Sequence, residues 1–200
     1  MGTVNPKIDL VFKKLFGTGK ISYLDIKAKD EKERWYDIEV QVAPCDFFGM
    51  RLLFYRAKLY GSQLKSGQTY DDLQKTIVIS LIDFNYFMDK KGKERFLRRI
   101  GLCDLDTKER YEQTDGIELQ FVELKKFKKE LPDIHSTLER WITFMNKAHQ
   151  YSKDNLPEQL ASDEKIIERQ ARITVLFHKM MTSTHCNKAT YQTEPVRYPI

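Results

Sequence analysis

Three residues in the first quarter of the chain combine types and spacing that can do chemistry: Asp25, then Glu39 and Gln41. Successive side chains of a strand point to opposite sides, so a Glu-x-Gln strand puts both polar groups on one surface. A carboxylate on a neighbouring strand would bring a second hard oxygen donor to the same place. Magnesium is held this way, by one or two carboxylates completed by water and substrate phosphate oxygens. There it polarises a phosphodiester and generates a hydroxide-like nucleophile near neutral pH. The spacing alone does not establish this chemistry, because a solvated, charged strand face accounts for it equally well.

The elements that must position these residues are legible in the hydrophobic pattern. Ile21–Lys29 and Trp35–Ala43 both alternate apolar and polar residues, with the charged stretch Asp30–Arg34 between them, which reads as a hairpin. In the first strand Ile21, Tyr23, Asp25 and Lys27 share one face. In the second, Asp37, Glu39, Gln41 and Ala43 lie opposite Tyr36, Ile38, Val40 and Val42. Ahead of the hairpin, Asn5-Pro6 reads as a helix start, followed by Ile8, Val11, Phe12 and Leu15 at helical spacing and by Gly17 and Gly19 as the stop.

From Asp46 to Gln74 the spacing of Phe47, Met50, Leu53, Phe54, Ala57 and Leu64 predicts a helix, with Gly67 and Tyr70–Asp72 near its end. Lys75–Phe84 reads as a buried strand, Arg95–Leu102 and Gly116–Leu124 as two more, and Leu131–Gln150 as helical. Strands and helices in this order fit an α/β domain with a central sheet and helices on its faces. The expected organisation is one domain over 1–150, a helical extension over 151–181 and a disordered tail over 182–200, where periodicity fades.

On the long helix Arg51 and Gln63 are candidates for contact with a nucleic-acid backbone, and Tyr55 falls at core spacing from Leu52 and Leu59. A second Glu-x-Gln, Glu118-Leu119-Gln120, has no aspartate strand closely before it and reads as structural.

Composition narrows the classes. With 41% hydrophobic and 32% charged residues the chain can bury a core under a charged surface. A net charge of +5 favours an anionic partner without demanding one. Cys45, Cys103 and Cys186 form no Cys-x-x-Cys pair, and the histidines at 135, 149, 178 and 185 show no His-x-x-x-His spacing, so a zinc site is not expected. There is no Gly-rich phosphate loop, which argues against nucleoside triphosphate hydrolysis. The charged N-terminus lacks the apolar core of a signal peptide, and no stretch approaches the roughly 18 apolar residues of a membrane span. A cytoplasmic protein with no membrane partner is the expectation.

Several ordered blocks carry a resemblance: Asn5-Pro6-Lys7-Ile8-Asp9 with Phe12-Lys13-Lys14-Leu15-Phe16-Gly17; Leu24-Asp25-Ile26-Lys27-Ala28; Tyr36-Asp37-Ile38-Glu39-Val40-Gln41; Phe47 to Tyr60; Ile77 to Phe84; and Glu123-Leu124-Lys125-Lys126-Phe127. Over roughly residues 5–150 the chain resembles the PD-(D/E)xK nuclease superfamily, and within it the recombination-promoting nuclease and transposase family of bacteria. The resemblance implies a restriction-endonuclease-like mixed sheet flanked by helices, and a magnesium- (or manganese-) dependent endonuclease with DNA as partner, working alone or as a homodimer. It assigns the metal to Asp25 and Glu39, sets Gln41 where the superfamily has its lysine, and lets Asp9 approach the metal or organise it from behind.

Two departures accompany the resemblance. Only Thr18, Gly19 and Lys20 separate Gly17 from Ile21, where relatives carry a further helix and strand, and the tail from about Ile173 does not follow the family ending. A catalytically inactive DNA-binding or remnant mobile-element protein of the same fold is therefore the alternative to the enzyme.

Overall fold

The computed structural model describes residues 25–29, 33–88, 94–151, 155–163 and 166. Five strands form one mixed sheet in the order β1-β2-β3-β5-β4: β1 (Asp25–Lys29), β2 (Trp35–Gln41), β3 (Thr76–Ile82), β4 (Leu97–Gly101) and β5 (Ile117–Glu123). β1 and β2 run antiparallel, as the short connection between them requires, and so do β4 and β5, whereas β2, β3 and β5 are parallel. Parallel neighbours need a crossover, and between β2 and β3 it is carried by helix α1 (Phe48–Gly61). Helix α2 (Thr137–Lys147) and the short α3 (Glu158–Ala161) follow the sheet. The chain is an α/β protein with a mixed sheet flanked by helices, consistent with a restriction-endonuclease-like fold.

The centre of the sheet is β3, Thr-Ile-Val-Ile-Ser-Leu-Ile, buried at every position. A near-continuous β-branched and apolar run is what a parallel strand covered on both faces demands. Its alternate residues feed two cores. Val78 and Ile82 join Phe48, Leu52, Phe84 and Phe121 beneath α1. Ile77, Ile79 and Leu81 join Tyr36, Ile38, Trp141, Ile142 and Phe144 beneath α2. Leu160 and Ile166 are fully buried in that second cluster, so described residues beyond 151 contribute to the same core. α2 starts sharply at Ser136, whose hydroxyl accepts from the Glu139 N–H at 3.2 Å while the Glu139 carboxylate accepts from the Ser136 N–H at 3.1 Å. This reciprocal capping satisfies two otherwise orphaned donors.

Three expectations are corrected. The helix expected over 46–74 stops at Gly61, where Ser62 donates back to the Lys58 carbonyl at 2.9 Å. The remainder is a loop with Gly67 at φ +87° and a 3-10 turn at Tyr70–Asp72 capped by Thr69. Gln63, read as helical, instead ties that loop to β3. The helical stretch over 131–150 narrows to α2 between two 3-10 turns, Leu131–Asp133 and Ala148–Gln150, with Pro132 in the first. Tyr55 is 39% exposed rather than core, because α1 turns Phe48, Leu52, Arg56 and Leu59 inward.

The opening segment with Asp9, and the tail over 182–200, lie outside the described residues. Among the described residues no helix is long and apolar enough to cross a membrane.

Candidate active site

The hairpin register sets Asp25 directly opposite Glu39, and Lys27 opposite Asp37. Directly opposed residues of an antiparallel pair share a face, with Cβ atoms about 5 Å apart. On the other side of β2, Glu39 is level with Ser80 of β3 and Gln41 with Ile82. Asp37, Glu39 and Gln41 therefore face the same layer as Val78 and Ile82, which is the layer roofed by α1. This is not a solvated face, since Asp37 is completely buried.

Two arginines descend from α1 onto it. Arg51 Nη2 lies 3.1 Å from Glu39 Oε1, and Arg56 Nη2 lies 3.1 Å from Glu39 Oε2. Arg56 Nη1 also pairs with Asp37 Oδ2, and the Arg56 side chain is only 3% exposed. Gln41 donates from Nε2 to the Ala43 carbonyl at 2.8 Å, while its Oε1 stands at the outer limit of a hydrogen bond, 3.5 Å, from Arg51 Nη2. The face thus carries carboxylates and guanidiniums in close alternation, with Glu39 at its centre and 18% of its side chain exposed.

Among the described residues no group of three or more His, Cys, Asp or Glu is arranged to hold a metal ion. A hard divalent cation does not need one: one or two carboxylates suffice when water and phosphate oxygens complete the shell. The register that sets an aspartate opposite Glu39 offers the residue types for such a donor set. An ionised carboxylate also has about four lone-pair directions, so two arginine contacts do not by themselves preclude a metal–oxygen bond at Glu39. The residues fit the ion.

Arg56 and Asp37 did not stand out in the sequence. The signal that could have found Arg56 is its place in the inward stripe Phe48, Leu52, Arg56, Leu59. A cation in a buried stripe, following a strand of alternating acids, calls for those acids as partners. Arg51 is found against Glu39 and beside Gln41. Both ends of the Gln63 amide are engaged within the chain: Nε2 donates to the Gln74 carbonyl at 2.8 Å and to Thr76 Oγ1 at 3.0 Å, and Oε1 accepts from the Gln74 N–H at 2.8 Å.

The second Glu-x-Gln lies on the other face of the sheet. Glu118 is 1% exposed, with Lys75 at 3.0 Å, Arg99 at 2.8 Å, Arg110 at 3.6 Å and the Gln120 amide donating at 2.8 Å. Burial, the largest single influence, would raise its pKa, yet the bonds from Arg99, Lys75 and Gln120 together hold it down at about 2. Arg110 reaches in over Gly101, where a Cβ would come within 2.6 Å of its guanidinium.

Compared with models of protein families, residues 18–194 match that of the PD-(D/E)XK nuclease family transposases. The chain belongs to this family. No curated protein and no solved structure matches it. The matched range of this PD-(D/E)XK chain takes in Asp25, Glu39, Gln41, Arg51 and Arg56, and it begins after the opening block that contains Asp9. It also runs well past residue 150 and reaches residue 194, within the tail that the sequence blocks left out. Membership supports a function of the nuclease and transposase type.

Proposed function

We propose that the protein is a metal-dependent DNA endonuclease, with Asp25 and Glu39 as metal ligands and Gln41 as the group that orients the attacking water or the scissile phosphate. The observation that carries this reading is the register: of the residues along β2, it is Glu39 of the Glu-x-Gln that β1 meets with an aspartate. A bound magnesium or manganese ion would supply the Lewis acid and lower the pKa of a bound water.

The chain's own residues do the rest. Arg56 holds one oxygen of Glu39 from the buried side, and Asp37 balances its charge. Arg51, at 20% side-chain exposure, is the cation that a phosphate approaching Glu39 meets first. A neutral amide at Gln41 adds no positive charge to the transition state, and Arg51 beside it supplies the charge that a lysine at that position would give. Gln63 acts at a distance by fixing the loop that leads into β3. Asp9 is a further candidate for the metal's surroundings, and a cytoplasmic location suits the substrate.

Nicking of supercoiled plasmid tests the proposal. The expected result is cleavage by the wild type in magnesium or manganese and none by Asp25→Ala; equal cleavage by that variant, purified free of contaminating nuclease, overturns it. The engagement of both Glu39 oxygens by arginine favours one second reading, a DNA-binding protein of this fold without hydrolysis. Salt-dependent DNA affinity without cleavage in either metal is its signature.

A further inference from the structure

Arg56 occupies a position that its helix would ordinarily give to an apolar side chain, in line with Phe48, Leu52 and Leu59 and 2% exposed. An arginine keeps its charge in proteins, so burial there requires anionic partners. β2 supplies two, Asp37 through Nη1 and Glu39 through Nη2. They are two positions apart on one strand face, about 6.6 Å, a gap that the planar fork of a guanidinium spans and a single ammonium does not.

The completely buried Asp37 is by itself enough to neutralise Arg56. The second limb of the fork goes to a partly exposed carboxylate, which does not need it for solvation. We propose that Arg56 is the positioning residue of Glu39: anchored on Asp37, it fixes the Oε2 side of the carboxylate and so sets the orientation that Glu39 presents to a divalent ion shared with Asp25. Arg51, more exposed and divided between Glu39 and Gln41, is the exchangeable contact. This inference rests on the nuclease reading above.

The test is manganese binding to the full chain, followed by the paramagnetic resonance of the free ion, alongside urea unfolding. Three proteins are compared: wild type, Arg56→Lys, and the double variant Asp37→Asn/Arg56→Met. Removing both members of a buried ion pair leaves no unpaired charge, so the double variant is expected to unfold near the wild-type midpoint. Losing a residue that orients a metal ligand costs about 10–100-fold in affinity, and that loss is expected in both variants. If the double variant does not fold, Arg56→Lys, which keeps a cation against Asp37, decides alone. A folded variant with wild-type manganese affinity overturns the proposal, and so does the unfolding of both variants, which would make Arg56 a purely structural pair. Absence of manganese binding by the wild type would appear before any substitution is made, and would overturn the nuclease reading itself.

Discussion

The molecule holds two Glu-x-Gln strands in one sheet, and they have opposite fates. Glu39-Val40-Gln41 on β2 and Glu118-Leu119-Gln120 on β5 have the same polar residues at the same spacing, and β3 runs parallel to both. What differs is the antiparallel neighbour. β1 sets an aspartate opposite Glu39, whereas β4 sets Gly101 opposite Glu118 and Arg99 opposite Gln120. At Glu118 the motif closes on itself, with the Gln120 amide bonded to its own glutamate and cations filling the remaining directions. At Glu39 the glutamine turns away to the Ala43 carbonyl. A motif of this kind becomes a candidate metal site through the strand next to it.

That contrast can be broken most forcefully at the hairpin. Glu39→Gln, like Asp25→Ala, is expected to lower metal-dependent nicking by at least about a thousandfold, since the ion's contribution is several kcal/mol of barrier. The same isosteric change at Glu118 should leave nicking within about threefold, less than 1 kcal/mol of barrier.

The next effect is on stability and runs the other way. Glu118→Ala removes the buried carboxylate on which Lys75 and Arg99 converge, while Lys75 keeps Asp115; losing hydrogen bonds to a charged group costs about 2 kcal/mol, readable as a lower urea midpoint. Nicking per folded molecule should be unchanged.

Acid sharpens the same distinction. The folded-state pKa of Glu118 is depressed from 4.5 to about 2. A depressed carboxylate contributes stability that is fully present above its unfolded value and is lost as pH falls through the folded one. Wild-type stability should therefore fall between pH 4.5 and 2 in part through this group, and Glu118→Gln should flatten that part of the profile. Equal slopes in the two proteins would show that the cations around Glu118 do not hold its proton off.

The smallest effect concerns Arg51. Arg51→Ala is expected to weaken DNA binding without regard to sequence and to reduce the slope of log affinity against log salt by about one. An unchanged slope would place the phosphate elsewhere.

Much of this arrangement was legible in the chain. The alternation of Ile21–Lys29 and Trp35–Ala43 gave the hairpin and the shared face of Glu39 and Gln41, because a period of two leaves little choice. The β-branched run at 76–82 gave the central strand. What alternation could not supply was cover: a face of acids reads as solvated until a helix is laid over it, and only the fold brings Arg51 and Arg56 onto Glu39. The end of α1 was also misplaced, since Leu64 continued the apolar spacing while Gln63 was already engaged in tying the following loop to Gln74 and Thr76. Register between strands is a tertiary property, so the pairing of Asp25 with Glu39 was compatible with the sequence without being dictated by it.

The central claim is that Asp25 and Glu39, and not the cation-filled surroundings of Glu118, form the metal site. Anomalous scattering from a crystal of the full chain soaked in manganese tests it most directly. The account predicts a peak between the carboxylates of Asp25 and Glu39 and none beside Glu118; a peak at Glu118, or an empty hairpin in the presence of saturating manganese, would contradict it.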